Sequence, residues 1–188
     1  MSKVFEMKRF FFILIFGLLL VHVYSQEITS VNMPVDENTG LITYKEVIDE
    51  AGTKDELFNR CSEWLHTFFP NPWETVKVRD QSTGLMKIQH QFRIYNVDNQ
   101  GNKLDAGMIL YNAKIEFKDN KYRIVVDNFV SKEVSRVPIE KWLDESAQNY
   151  NPVWKNYLAQ VDNYVQNELI KSLKEGMKPK KEVKEDVW

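Results

Sequence analysis

Residues 73–130 constrain this chain more than any other part of it, because apolar and polar residues alternate through four successive stretches with turn-forming residues between them. The stretches run over 73–79, 85–97, 108–118 and 122–130, and 80–84, 98–103 and the Asp119-Asn120 pair separate them. The last gap is short enough for a two-residue hairpin. A period of two places Met86, Ile88, Phe92 and Ile94 on one side, with Ile109, Tyr111, Ala113, Ile115 and Phe117, and with Tyr122, Ile124 and Val126. An antiparallel sheet of this kind buries one face and leaves the other wet. Those residues are the expected core.

The flanks supply a cover for that core. Residues 41–48 are rich in β-branched and aromatic side chains and predict a strand that 49–52 ends. Thr53 followed by Glu56 has the spacing of a capping box, and Leu57, Cys61, Trp64, Leu65 and Phe68 then recur at helical intervals until Pro70 and Pro72. After Val130 a helical turn is expected over 138–143. Asn151-Pro152 has the form of an N-cap with proline in first position, and Trp154, Tyr157, Leu158, Val161, Tyr164, Val165, Leu169 and Leu173 predict an amphipathic helix from Pro152 to about Lys174. The order describes an α+β two-layer sandwich, in which a five-stranded, mainly antiparallel sheet carries two helices on one face. One domain over 41–175 is expected, with an N-terminal arm over 26–40 that orders only where something holds it and a charged tail over 176–188.

Lys3, Lys8 and Arg9 precede an unbroken apolar run, residues 10–21, and Val23-Tyr24-Ser25 follows as a cleavage site. This reads as a secretory signal peptide over 1–25. The run is short for a membrane span, no cysteine follows the site to take a lipid, and no span is expected after cleavage. Export to the periplasm or beyond is therefore expected. Cys61 is the single cysteine, so the fold has no internal disulfide and the core must hold it. A net charge of −2 for the whole chain, more negative once the basic leader is removed, gives no general attraction to nucleic acid.

Tyr44, Val47 and Ile48, then Gly52, Leu57-Phe58, Arg60 and Trp64-Leu65, and later Lys118-Asp119-Asn120-Lys121-Tyr122-Arg123, resemble a bacterial exported domain of unknown function with a TBP-like fold, similar to that of the TATA-box-binding protein. The resemblance covers about 41–130 and implies the fold. It transfers no activity and no catalytic residue.

The residues themselves suggest little chemistry. His66 and His90 have no ligand neighbours at metal-binding spacing, and a lone histidine on the apolar face, as His90 is, normally packs a core. Cys61 lies on the helix stripe, where a thiol acts as a small hydrophobe. The Asp-rich loops beginning at Asp36, Asp80 and Asp98 place Val47, Gln91 and Ile109 where a calcium loop needs glutamate, so they read as turns. No cofactor is expected. Away from the apolar set, Lys77, Arg79, Lys87, Gln89, Gln91, Arg93, Lys114, Glu116, Arg123 and Asp127 alternate onto the other face, which makes that face basic. Lys87, Arg93, Lys114 and Arg123 there, with Trp154 from an aromatic group that includes Trp142, Tyr150 and Tyr157, are the candidate ligand surface.

The sequence favours a non-enzymatic binding or accessory domain of the envelope with an envelope or extracellular partner, anionic if it meets the basic face. An exported hydrolase with a site assembled only in three dimensions and a structural or assembly protein of the envelope remain the alternatives. The mature chain is expected to begin at Gln26. Intact-mass analysis of exported protein checks this, and a retained Met1 would overturn the export assignment.

Overall fold

In the computed structural model, which describes residues 32–98, 100–132 and 135–180, six strands form one antiparallel sheet. β1 (Tyr44–Asp49) is followed by helix α1 (Lys54–Phe68) and a one-turn helix α2 (Pro72–Thr75). The meander β2 (Val76–Asp80), β3 (Leu85–Val97), β4 (Lys103–Lys118) and β5 (Lys121–Lys132) comes next, then β6 (Arg136–Pro138) and a 3-10 turn (Ile139–Leu143). A final helical rod comprises α3 (Val153–Asn163), a π-helical segment (Tyr164–Ile170) and α4 (Lys171–Gly176). The spatial order is β1-β5-β4-β3-β2, with β6 also on β5. The sheet therefore has one strand more than expected, a three-residue strand too short to show periodicity.

Every expected core residue is buried, and the helices cover that face alone: Leu57, Phe58, Cys61, Trp64 and Leu65 of α1 and Leu158, Val161, Val165, Leu169 and Leu173 of the rod join the same cluster. The position of α1 is set at its start. The Thr53 hydroxyl accepts the Glu56 N–H and the Glu56 carboxylate accepts the Thr53 N–H, so the capping box forms. The β4–β5 hairpin supplies more bonds. Asp119 accepts the Lys54 N–H at 2.8 Å, the Asn120 side chain accepts that of Gly52, and the Asn120 N–H donates to the Gly52 carbonyl at 2.7 Å. Asn120 adopts a φ of 61°, which asparagine tolerates in such tight turns.

Several expectations change in detail. Residues 73–79 do not form one strand, because Pro72 starts α2, whose backbone Thr75 holds through a hydroxyl bond to the Asn71 carbonyl, leaving Trp73 77% exposed. β4 begins at Lys103, before the apolar pattern does, because its first residues need only pair with β3. Part of the N-terminal arm is held: Met33 is buried beside the Tyr44 hydroxyl, Val35 bridges Ile42, and Thr43 donates to the Pro34 carbonyl. At the other end the core extends to Met177. The leader, residues 26–31 of the arm and residues 181–188 of the expected tail lie outside the described residues.

The π-helical segment has a geometric reason. Val161, Val165, Leu169, Leu173 and Met177 are all fully buried at strict four-residue steps. On an α-helix each such step overshoots a full turn by roughly 40°, so the stripe would rotate off the sheet. A wider segment in the middle resets it. The rod is pinned by side chains as well: Tyr44 to Asp162 at 2.9 Å, Tyr157 to Asn96 at 2.7 Å and Trp64 to Ser172 at 3.0 Å.

Trp64 joins α1 to the C-terminal rod, stacked on Phe68, edge-on to Phe69 and directly over Gly176, where an added Cβ would lie 2.7 Å from its ring. Trp64→Ala is expected to cost about 3–5 kcal/mol in denaturant unfolding. Gly176→Ala should destabilise the wild type by about 1–3 kcal/mol yet become nearly neutral in the Trp64→Ala background, and additive losses would refute the contact.

Candidate functional site

The uncovered face of the sheet is built from the residues that alternate away from the core. Lys87 stands opposite Lys114, Glu116 opposite Arg123, Gln89 opposite Asn112, and Asn112 opposite Asp127. Met108, Leu110, Val125 and Val130 occupy the same face and are half-buried. It is thus a mixed surface in which apolar residues stand between charged ones.

Its charge is partly cancelled. Glu116 lies 3.3 Å from Lys114 and accepts the Arg123 Nε–H at 2.9 Å. The Arg123 hydrogen bond, with help from Lys114, holds the Glu116 carboxyl below its ordinary range. Arg93 pairs with Asp105. Lys87 has no such partner among the described residues. Among the described residues Asp127 is the one carboxylate pushed upward, by burial, and its partner across the ladder is an amide rather than a second carboxylate.

Of the candidate surface, Lys87, Lys114 and Arg123 fall in adjacent rows. Arg93 shares their face but stands six positions along β3 from Lys87, roughly 20 Å away at strand rise. Trp154 does not join them. It packs against the core on the helical side, stacked on buried Trp142 with ring centroids 6.1 Å apart and edge-on to Tyr150, and the two tryptophans border a cleft of about 310 Å³ with Lys141, Asp144 and Asn149. Lys77 and Arg79 also leave the expected face. The register shifts between Val76 and Val78, and Arg79 then pairs with Met86 on the helical side, donating to the Ser62 hydroxyl and lying over the Phe58 ring.

The remaining candidates take up structural positions. Asp36, Asp80 and Asp98 each accept backbone N–H groups two to four residues ahead, and those bonds hold their turns. Cys61 is fully buried and its thiol is raised by desolvation, away from reactive thiolate. Among the described residues no three His, Cys, Asp or Glu side chains lie close enough to hold a metal, and no helix is long and apolar enough to cross a membrane.

Residues 44–132 match a family described as a domain of unknown function (DUF4468) with TBP-like fold. A DUF4468 family protein from Bacteroides ovatus superposes with a TM-score of 0.62 at 8% identity, covering 80% of this chain and 94% of its own. A TBP-like protein from Parabacteroides distasonis gives 0.60 at 14% identity, covering 74% and 94%. At such identities the likeness speaks for the fold. No curated protein matches.

His90 lies on the helix-covered face with its ring edge-on to Phe69 at 4.8 Å and to Tyr111 at 6.1 Å, its Nδ1 buried without a partner among the described residues. Burial lowers its pKa from the ordinary 6.5. The unfolded chain therefore takes up a proton that the fold resists, so the stability His90 allows is complete above about pH 7 and falls as pH drops through 6.5 toward the folded value. Urea midpoints from pH 7.5 to 5.5 are expected to fall in wild type and to flatten in His90→Phe; equal slopes would show that the imidazole is not shielded.

Proposed function

We propose that this chain, whose residues 44–132 belong to the DUF4468 family with TBP-like fold, is an exported, non-enzymatic binding or accessory domain of the bacterial envelope that receives its partner on the uncovered sheet face. The observation that carries this reading is the one-sidedness of the fold. All the helices that cover the sheet lie on one face, while the other leaves Met108, Leu110, Val125 and Val130 half-exposed among Lys87, Lys114 and Arg123. An apolar patch rimmed by charge is the usual form of a protein's binding surface.

Lys87 and the pair that shares Glu116 favour an anionic partner at the β2 end of that face. Fold likeness to the TATA-box-binding protein does not argue for nucleic acid, because function resides in the site rather than the architecture. The leader supports export.

Replacing Lys87, Arg93 and Arg123 together with glutamine tests the reading. The side chains are solvent-facing, and the two ion pairs they break are each worth about 0–1 kcal/mol, so folding should survive. Titration with an anionic envelope polymer such as teichoic acid or lipopolysaccharide core, at low and at physiological salt, should show binding that weakens with salt and drops by roughly tenfold in the variant. Equal and salt-insensitive binding by both proteins would refute an anionic partner on this face.

A further inference from the structure

The outer edge of β3 is paired only in part. β2 covers it from Leu85 to Ile88, and α2 then turns the chain away. Farther on, at Tyr95, the Gln160 side chain replaces a strand: its Oε1 accepts the Tyr95 N–H at 3.0 Å and its Nε2 donates to the Tyr95 carbonyl at 2.9 Å. From Gln89 to Ile94 no backbone or side chain of the described residues pairs with that edge. Two clefts follow it, one of about 350 Å³ beside Gln89, His90 and Gln91, the other of about 470 Å³ beside Phe92, Arg93 and Tyr95.

We propose that this gap is a slot for an extended, lysine- or arginine-bearing peptide of a partner protein, which adds a strand to β3 end to end with β2. Unpaired edge groups supply the affinity for such an addition, and the two successive clefts along the edge take side chains of the peptide. Five or six residues at roughly 3.4 Å each fill the length between β2 and Gln160.

Charge selects the occupant. Among the described residues Glu74 in the first cleft has no salt bridge or side-chain hydrogen bond, and Glu168 in the second meets only the Asn163 amide, at 3.4 Å. The cations beside the slot are engaged elsewhere: Arg93 with Asp105, Lys103 over the Tyr95 ring, and Lys77 on the Glu74 carbonyl. A second copy of this chain fits poorly. Antiparallel pairing of two such edges sets the Glu74 end of one against the Glu168 end of the other, carboxylate facing carboxylate.

An acetylated, amidated hexapeptide alternating lysine and valine is the probe, added to the folded chain with amide hydrogen exchange read by NMR. Exchange is expected to slow at outward-facing amides between Gln89 and Arg93. A peptide N-methylated on its pairing edge should lose that protection, and Glu74→Gln with Glu168→Gln should weaken binding by about fivefold or more. The proposal is overturned by no binding at millimolar peptide, by equal binding of the N-methylated peptide, by changes confined to the Lys87–Lys114 face, or by a dimer that protects these amides without peptide. Because the slot is read at backbone amides with a cationic peptide and the open face at side-chain substitutions with an anionic polymer, failure of one leaves the other standing.

Discussion

The hydrogen bonds between the Gly52–Lys54 turn and the Asp119-Asn120 hairpin tie helix α1 to the sheet at a point where both are rigid. A helix over a sheet can slide and rotate, because apolar contact is not directional. Here the start of α1 is bonded to the tip of the central hairpin, and Asp119 also presents a carboxylate to the positive end of the helix dipole. With that end fixed, Leu57, Phe58, Cys61 and Trp64 point down onto β4 and β5, and the C-terminal rod packs against the flank that α1 leaves. Trp64, between Phe69 and Gly176, carries the constraint from α1 to the rod beside it.

The covered unit is larger than the stretch that the family match spans. Trp142, Leu158, Val161, Val165, Leu169, Leu173 and Met177 lie beyond residue 132, and all are buried in the same cluster as β3 and β4. Residues 44–132 alone would leave the part of the sheet's apolar face that the rod covers in water. The two solved structures match 74% and 80% of this chain, consistent with a cover of similar extent.

Legibility in sequence followed the range of the interaction. Alternation from Met86 to Val126 identified the core face, and the Thr53/Glu56 pair marked the start of α1, because both are local rules of backbone geometry. What was hidden depended on partners far along the chain. A single register shift beside Ile88 moved Arg79 to the helical side, and no pattern within 76–80 announces it. The width of the helix over 164–170 responds to the sheet beneath it. The site shows the same division: the open face and its basic residues could be read, but the partners that reduce their charge could not, since Glu116–Arg123 and Arg93–Asp105 are cross-strand pairs set by register. Nor could the unpaired stretch of β3, which exists only because β2 is short.

The route of the chain through the sheet also dictates the order in which it can form. β2 to β5 are joined by short turns and can pair as soon as neighbours collapse, whereas β1 must wait for β5, matching Asp49 with Lys121 and Tyr44 with Val126 across the whole meander. Until it arrives, the outer edge of β5 is a bare template for intermolecular association. The bonds from Gly52 to Asn120 lie next to the Asp49–Lys121 end of that ladder. Once made, they shorten the remaining search to the closure of a small loop, so that β1 zips onto β5 from the hairpin outward and the exposed edge is short-lived.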